Sequence, residues 1–389
     1  MNAPAFEVAD VIRCSGEEFI RQYKPLGYHK GVLTALKLCR TEALGSHIYQ
    51  CTDCGHIRIA YHSCRNRHCP KCQQVGKERW IMAREADLLP VGYLHMVFTL
   101  PDVLNPLCLK YPAMMYNLLF HAVRDTLFTF AADPKHLGAE LGFVAVLHTW
   151  GQTMSLHPHL HIIVPAGGFN IKGKWVNARG DGDFLFPVKA LSPVFRAKYR
   201  DGLKVALSEA GIAKPEGLFE QLMLRNWVVY AKNPMGDPRQ VIEYLGRYSH
   251  RIAISNHRLI KVTESEVTFR YKDYSQNGVQ KHMTLANTEF LRRFCMHILP
   301  PGFMKIRHYG ILSSRRKAEY IPKPKDENGQ IVLLSKPTWQ QVCSERLGYE
   351  PEQCPCCGSG RMKIIGFANP RPPPVNMLKE CNSKSSKQA

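Results

Sequence analysis

Three histidines alternate along one short stretch of the chain: His157, His159 and His161 within HPHLHIIV. On an extended strand alternate residues project to the same face, so the three imidazoles are expected to point together. Buried histidines without partners are costly, so the pattern indicates a metal ion, an acidic partner or solvent beside them. Imidazole binds Zn2+ and Mn2+ and, with phosphate oxygens as further ligands, can hold Mg2+. Ordinary structural histidines are the alternative interpretation.

Two tyrosines, Tyr244 and Tyr248, stand four residues apart within VIEYLGRYSHRIAIS. In a helix this spacing puts both phenols on one face, roughly 6 Å apart. An aromatic pair packed in the core is the alternative. Tyrosine can also be a covalent nucleophile, and attack on a phosphodiester requires positive charge to stabilise the developing oxyanion and to favour loss of the phenolic proton. A histidine-bound cation would supply that charge.

Paired cysteines point to a second kind of metal. Cys51 and Cys54, followed by Cys69 and Cys72, have the spacing of a tetrahedral four-cysteine zinc site. No open coordination position is evident, so the zinc is expected to be structural. Four further potential ligands lie between the two pairs: His56, His62, Cys64 and His68. They could replace one of the four cysteines as a ligand or bind a second zinc ion, and the spacing leaves open which residues bind. Cys64 and His68 are the favoured additions to the four cysteines.

A further cysteine motif, CPCCGSG, begins at Cys354 and resembles half of a zinc ribbon. No second cysteine pair that could complete the ribbon lies near it in the sequence. Metal binding by Cys354 and Cys357 and small buried thiols are equally good interpretations.

The chain is strongly basic: 52 Lys and Arg against 32 Asp and Glu give a formal net charge of +20 over 389 residues. This charge indicates a polyanionic partner, because each neutralised phosphate releases counterions. No basic amphipathic helix with a clean apolar face is evident, which favours nucleic acid over a membrane surface. The longest apolar stretch, residues 91–100, is too short to span a bilayer, and no signal peptide is recognised, so a cytoplasmic, nucleoid-associated protein is expected.

Basic residues beside the motifs are the candidate DNA contacts. Arg65, Arg67 and Lys71 surround the cysteine pairs, and Arg247 and Arg251 lie near the tyrosines. Solvated surface charges are the alternative for both groups. A basic chain that combines a histidine strand, a tyrosine pair and a zinc module has the parts needed for DNA strand cleavage through a phosphotyrosine.

The elements that must position these residues follow from hydrophobic periodicity. Residues 143–150 and 159–164 are predicted to form an antiparallel hairpin, and residues 93–100 another strand. Two short helices are predicted within residues 16–42, and longer ones at residues 73–88, 104–130, 191–210 and 216–231. A further helix is predicted to begin near Pro238. From Pro322 onward the pattern weakens, and the Ser/Lys-rich end is predicted to be a disordered tail.

In this order, the motifs resemble those of the IS91-family transposases, members of the HUH endonuclease superfamily. The histidine-hydrophobe-histidine (HUH) motif is the segment His159 to His161, and the two-tyrosine motif is Tyr244 and Tyr248 within YLGRYSHRIAIS. The segment SCRNRHCPKCQ, residues 63–73, resembles the zinc-binding region of that family. The resemblance covers most of residues 51–320.

The resemblance implies an α+β fold, in which the HUH motif lies on a middle strand of a central antiparallel sheet flanked by helices, and a small helical, zinc-binding domain precedes this sheet. We expect an N-terminal helical and zinc-binding domain at residues 1–90, an HUH two-tyrosine nuclease domain at 91–320, and a C-terminal extension at 321–389. The resemblance implies that the protein is an enzyme: a transposase that nicks and joins single-stranded DNA at element ends through 5′-phosphotyrosine intermediates. The implied cofactors are structural Zn2+ and catalytic Mg2+ or Mn2+, and no small-molecule substrate or membrane partner is expected.

HUH sites usually take a third metal ligand from outside the motif. His148 is preferred, because the predicted hairpin would aim its ring at the face of the HUH histidines. Other candidates remain open: His157, His250, Glu243 and Gln152. Two other functions also remain open, namely an HUH replication initiator or relaxase, and a non-catalytic, zinc-dependent DNA-binding regulator. The oligomeric state is left open.

Overall fold

The computed structural model describes residues 4–85, 87–180, 184–235, 240, 243, 246, 252–321 and 337–370. Five residues with a predicted role lie outside the described residues: Tyr244, Tyr248, Arg247, Arg251 and His250. The start of the helix predicted near Pro238 also lies outside them. The described chain has the predicted α+β architecture, with a central antiparallel sheet of five strands flanked by helices, and it is consistent with an HUH fold. No helix among the described residues combines the length and the apolar character that crossing a bilayer requires.

The chain begins with two helices, a hairpin and a third helix. Apolar residues of the first helix, including Val8, Val11, Ile12 and Phe19, recur at helical spacing and are buried. The five elements are α1 (Val8–Tyr23), α2 (Gly27–Leu38), β1 (Ser46–Cys51), β2 (Ile57–Tyr61) and α3 (Gln73–Glu85).

The middle of the chain supplies four strands of the central sheet and the helices that cover it. In chain order its elements are β3 (Tyr93–Thr99), α4 (Asn105–Lys110), α5 (Pro112–Ala132), β4 (Gly142–Trp150), β5 (Leu156–Pro165), β6 (Gly167–Phe169), β7 (Trp175–Asn177), α6 (Val188–Glu209), α7 (Leu218–Leu224) and β8 (Val229–Met235). The predicted helix over residues 216–231 is therefore only partly right, because the helix ends at Leu224 and residues 229–231 belong to the edge strand β8, paired with β3.

The last part of the chain forms a second sheet of three strands and adds one strand each to the central sheet and to the N-terminal hairpin. Its elements are β9 (Leu259–Val262), β10 (Glu266–Asp273), β11 (Val279–Ala286), α8 (Asn287–Cys295), β12 (Ile306–Gly310), α9 (Lys317–Tyr320) and β13 (Met362–Ala368). The central sheet has the strand order β12-β4-β5-β3-β8, and a second sheet has the order β11-β10-β9. β13 joins the N-terminal hairpin in a third sheet, β13-β1-β2.

The two faces of the central sheet have different neighbours. One face carries residues such as Phe98, Phe143 and Leu160, which pack in the largest core with α5 and α6. Because side chains alternate along a strand, the residues between them face the opposite way. Val144 and Ile163 on that second face pack against Ile81 of α3 and neighbouring residues. The histidines of β4 and β5 lie on this second face.

The N-terminal helices do not stand apart from the rest of the chain. Phe19 of α1 shares a core with Phe269 of β10 and Phe290 of α8. The buried side chain of Asn287 donates hydrogen bonds to the carbonyl oxygens of Thr263 and Glu264, at 2.9 and 3.0 Å. This core therefore joins the N-terminal helix α1 to elements that follow β8 in the chain.

Candidate active site and cysteine clusters

The β4–β5 hairpin brings three histidines together. Its register pairs His148 with His159, so both rings project from the same face, and His161 follows two residues later on that face. The ring nitrogens of His148, His159 and His161 lie within 4.8 Å of one another. All three side chains are buried. The structure thus places the HUH histidines and the preferred third ligand in one group.

Each ring in this group is held by a neighbouring residue. Nδ1 of His159 lies 2.6 Å from the carbonyl oxygen of His157, and Nδ1 of His161 lies 2.9 Å from Nε2 of His95 on β3. The His148 ring stacks on Trp150, with centroids 4.6 Å apart. These contacts engage the outer nitrogens of His159 and His161 and leave their Nε2 atoms facing each other at 3.1 Å.

This arrangement fits a divalent cation. Because His159 donates from Nδ1 to a carbonyl, its Nε2 carries a lone pair when the ring is neutral. If His161 likewise donates from Nδ1 to His95, its Nε2 presents a second lone pair to the same point. In that tautomer the two facing lone pairs can bind one cation, and metal-binding histidines characteristically use their other nitrogen in this way.

His95 was not among the predicted site residues. It is buried on β3 behind His161, and burial together with the nearby Lys232 lowers its pKa to about 4. His95 is therefore neutral at neutral pH and brings no extra positive charge to the site. The sequence indicated only that His95 lies on a predicted strand that could border the site. It could not indicate the contact with His161, because the register of β3 against β5 depends on long-range pairing.

The other candidates for a third ligand that the structure describes lie outside the three-histidine group. The exposed His157 is not in the three-nitrogen group, although its ring centroid is 5.1 Å from that of His159. Glu243 is exposed, and its carboxylate accepts from Arg346 at 3.2 Å. Gln152 lies in the connection between β4 and β5.

Two described residues mark the course of the tyrosine segment. Glu243 and Gly246 are helical, and Gly246 is buried against Ile81 of α3, whose side chain a Cβ at Gly246 would strike. Ile81 packs with Val144 and Ile163 on the face of the sheet that carries the histidines. This point of the segment, two residues from each tyrosine in sequence, therefore lies on the histidine side of the sheet.

The single four-cysteine site predicted from the two pairs is corrected by the structure, which divides those cysteines between two clusters. One consists of Cys39, Cys64, Cys69 and Cys72, and the other of Cys51, Cys54, Cys354 and Cys357. The physical reason is the β1–β2 hairpin. Cys51 and Cys54 lie at its tip and Cys64 follows its far end, so a strand of roughly 17 Å separates them.

The first cluster is closely packed around Cys39, which follows α2. Cys39 Sγ lies 3.4 Å from Cys72 Sγ and 3.6 Å from Cys69 Sγ, and Cys64 Sγ lies 3.7 Å from Cys72 Sγ. Cys39 has no cysteine within a few residues, so spacing gave no signal for it. His68, the other suggested ligand, is outside the cluster. Burial and the neighbouring Arg67 lower its pKa to about 3.

The basic residues near this cluster have different surroundings. Arg67 donates to the carbonyl oxygens of Phe303 and Pro300 at 2.6 and 2.9 Å, which ties the cysteine region to the turn before β12. Lys71 forms an ion pair with Glu7 at 2.7 Å. Arg65 is exposed and has a left-handed backbone conformation, with φ of 52°. The structure thus gives Arg67 and Lys71 internal partners, while Arg65 faces solvent.

Comparison with known proteins agrees with this arrangement. A family model described as "Transposase zinc-binding domain" matches residues 11–100, and one described as "Putative transposase" matches residues 142–319. "Putative transposase y4qJ" of Sinorhizobium fredii is 42% identical over 378 residues, covering 92% of this chain and 94% of the relative. The chain belongs to the IS91 family of transposases.

A second relative of this IS91-family chain is the "Transposase for insertion sequence element IS801" of Pseudomonas savastanoi pv. phaseolicola. It is 29% identical over 343 residues, covering 84% of this chain and 81% of the relative. No solved structure matches the chain. Family membership establishes a transposase, an enzyme that cleaves and joins DNA, with DNA as its partner. The match to a zinc-binding domain and the cysteine clusters fit structural zinc.

Proposed function

We propose that this transposase nicks and rejoins single-stranded DNA at the ends of its element through Tyr244 and Tyr248. In this proposal His148, His159 and His161 hold a divalent cation, Mg2+ or Mn2+, beside the scissile phosphate. The observation that carries the proposal is the group of three buried histidines, whose ring nitrogens lie within 4.8 Å of one another. The position of Gly246 on the histidine side of the sheet supports a role for the tyrosine segment in the same site.

The proposed reaction is a phosphoryl transfer to tyrosine. A phenolic oxygen of Tyr244 or Tyr248 attacks the phosphorus, the bond from phosphorus to the 3′-oxygen breaks, and the phenolic proton leaves while the 3′-oxygen gains one. The products are a 5′-phosphotyrosine and a free 3′-hydroxyl. A 3′-hydroxyl then attacks the phosphotyrosine, which restores a phosphodiester and the phenol. The phosphotyrosine conserves the bond energy, so the joining step needs no ATP.

The histidines orient the phosphate in this scheme. When bound, the cation would draw charge from a phosphate oxygen and favour the phenolate form of the attacking tyrosine. His159 and His161 are fixed for this purpose by the carbonyl of His157 and by His95. Burial of the three rings limits water around the reacting phosphate. Two tyrosines permit two strands to be held covalently at once, one for each element end.

The direct test is a nicking assay on a single-stranded oligonucleotide that carries an element end. We expect cleavage in Mg2+ or Mn2+, with one product covalently attached to the protein, and loss of cleavage in EDTA that is reversed by excess cation. The same sequence as a fully paired duplex is expected to be a poor substrate. Cleavage that persists undiminished in EDTA would contradict the role given to the histidines.

His95 is expected to be a positioning residue for His161. Replacing His95 with alanine removes the partner of His161 Nδ1, so the ring of His161 is held less firmly and cation affinity is expected to fall about 10- to 100-fold. The measurement is the Mn2+ concentration that gives half-maximal nicking, together with direct Mn2+ binding. His95→Gln, which keeps a hydrogen-bonding side chain, is expected to recover part of the affinity. Equal Mn2+ affinity in the native protein and in His95→Ala would show that His95 does not position His161.

A further inference from the structure

A four-cysteine cluster joins two distant segments of the chain. Cys54 and Cys354 are 300 residues apart in sequence, and their Sγ atoms are 3.7 Å apart. Cys51 Sγ lies 3.7 Å from Cys357 Sγ, and all four sulfurs lie within 4.8 Å of one another. Thiolates arranged tetrahedrally around zinc are about 3.8 Å apart. The matched family regions end at residue 319, so the C-terminal half of this cluster lies beyond them.

The surroundings of the cluster also have the character of a metal site. Sulfur atoms accept backbone hydrogen bonds on both sides: the amide of Asp53 donates to Cys51 Sγ, and those of Cys356 and Gly360 donate to Cys354 Sγ and Cys357 Sγ, each at 3.4 Å. Such bonds favour the thiolate form. At Gly360 a Cβ would collide with Cys51 Sγ, so glycine is needed for the two segments to approach.

The same C-terminal segment reaches the tyrosine-bearing region through one arginine. Arg346 is the last residue of a short helical stretch, Val342–Arg346, and its guanidinium contacts three carboxylates. These are Glu78 at 3.1 Å and Glu85 at 3.5 Å, both on α3, and Glu243 at 3.2 Å. Glu78 is the most buried of the three, with its side chain 8% exposed. Arg346 thus bridges α3 and the residue that precedes Tyr244.

We propose that Cys51, Cys54, Cys354 and Cys357 form a second structural zinc site, which fastens residues 337–370 to the N-terminal zinc-binding region. We further propose that this attachment holds Arg346 against α3 and Glu243, so that the zinc site positions the segment carrying the nucleophiles. The second statement rests on the proposed function of Tyr244 and Tyr248, whereas the first does not.

Strand pairing and ion pairs hold the C-terminal segment beside the cluster. Antiparallel pairing of β13 with β1 aligns Met362 with Cys51, beside the cluster, so strand pairing and metal binding support each other. Arg346 is eight positions before Cys354 and borders a polar cavity of about 320 Å3. The cavity lining consists of Lys77, Glu78, Ile81, Glu243, Glu345 and Arg346. Without the zinc attachment, the segment would be held only by the pairing of β13 with β1 and by contacts such as the ion pairs of Arg346, of which the more exposed ones are individually weak.

The zinc content of purified full-length variants tests the first statement. Cys354→Ser/Cys357→Ser is expected to bind one zinc equivalent fewer than the native chain. Cys356→Ser is the matched control, because Cys356 is an exposed cysteine of the same motif that lies outside the cluster. Cys357→His, which retains a metal-binding side chain, is expected to keep the full zinc content. Unchanged zinc content in the double variant, or an equal loss in Cys356→Ser, would contradict the proposed zinc site.

Hydrogen exchange without DNA tests the second statement. Both Cys354→Ser/Cys357→Ser and Arg346→Ala are expected to raise amide exchange at least about threefold in peptides spanning residues 240–250. Exchange in α5 should not change, and Arg361→Ala serves as the control for an arginine of the same segment. Unaltered exchange at residues 240–250 in Arg346→Ala would refute the coupling. This readout does not depend on whether the tyrosines are nucleophiles, so its failure is distinguishable from failure of the proposed reaction.

Discussion

Replacing both Tyr244 and Tyr248 with phenylalanine is expected to abolish covalent attachment to an element-end oligonucleotide. The change removes only the two phenolic oxygens, so the nucleophile is lost while the aromatic rings remain. The adduct rate is expected to fall below about one thousandth of the native rate. Each single change should reduce adduct formation and leave the remaining tyrosine to form the residual product. The measurement is the fraction of protein shifted by the oligonucleotide under denaturing conditions.

Tyr230→Phe is the matched control for this experiment. Tyr230 is an exposed tyrosine on β8, outside the two-tyrosine motif, and its replacement should leave adduct formation unchanged. Adduct that persists in the Tyr244/Tyr248 double variant would rule out both residues as the nucleophiles.

Replacing both His159 and His161 with alanine is expected to eliminate cleavage and to leave DNA binding nearly intact. The two changes remove two of the three proposed cation ligands. Affinity for DNA comes chiefly from phosphate contacts made by the basic excess of the chain, a net charge of +20, so the dissociation constant should change by less than about threefold. Nicking rate and affinity are measured on the same single-stranded oligonucleotide.

The control for the histidines is His157→Ala. His157 lies on the same strand and is exposed, and its side chain is outside the three-nitrogen group. Its backbone carbonyl, which contacts His159 Nδ1, is retained in the variant. Cleavage should therefore continue. Loss of cleavage in His157→Ala equal to that in the double variant would argue against a site confined to His148, His159 and His161.

Local sequence patterns predicted much of the central sheet. The hairpin of β4 and β5 follows from two β-rich runs joined by a short polar connection, and its register pairs His148 with His159. The prediction of an antiparallel sheet flanked by helices is confirmed. Residues 216–231 illustrate where local patterns fail. Val229 begins an edge strand because pairing with β3 outweighs the helical tendency of the isolated segment.

The cysteines illustrate a different limit. Spacing identifies pairs such as Cys51 and Cys54, since two intervening residues let both sulfurs reach one ion. It cannot identify which pairs meet, because that depends on contacts between residues far apart in the chain. For Cys354 and Cys357 the sequence left metal binding and small buried thiols as equal interpretations, and the C-terminal segment folds back through β13 to bring them to the first pair. The single local site was therefore wrong, although all four of its cysteines belong to clusters.

The register of β3 against β5 shows the same limit in the active site. His95 faces His161 only because β3 pairs with β5 in a particular register, with Val97 opposite His161. Sequence reasoning could predict β3 as a strand but not that register. The result is a fourth histidine, His95, beside the group of His148, His159 and His161, and the HUH motif itself does not include it.

Mass spectrometry of the protein after reaction with an element-end single strand tests the central proposal most directly. Digestion of the adduct should yield a peptide that carries a nucleotide on Tyr244 or Tyr248 through a 5′-phosphate, and the attached nucleotide identifies the scissile bond. Attachment to any other residue, or cleavage with no covalently modified peptide, would contradict the phosphotyrosine mechanism.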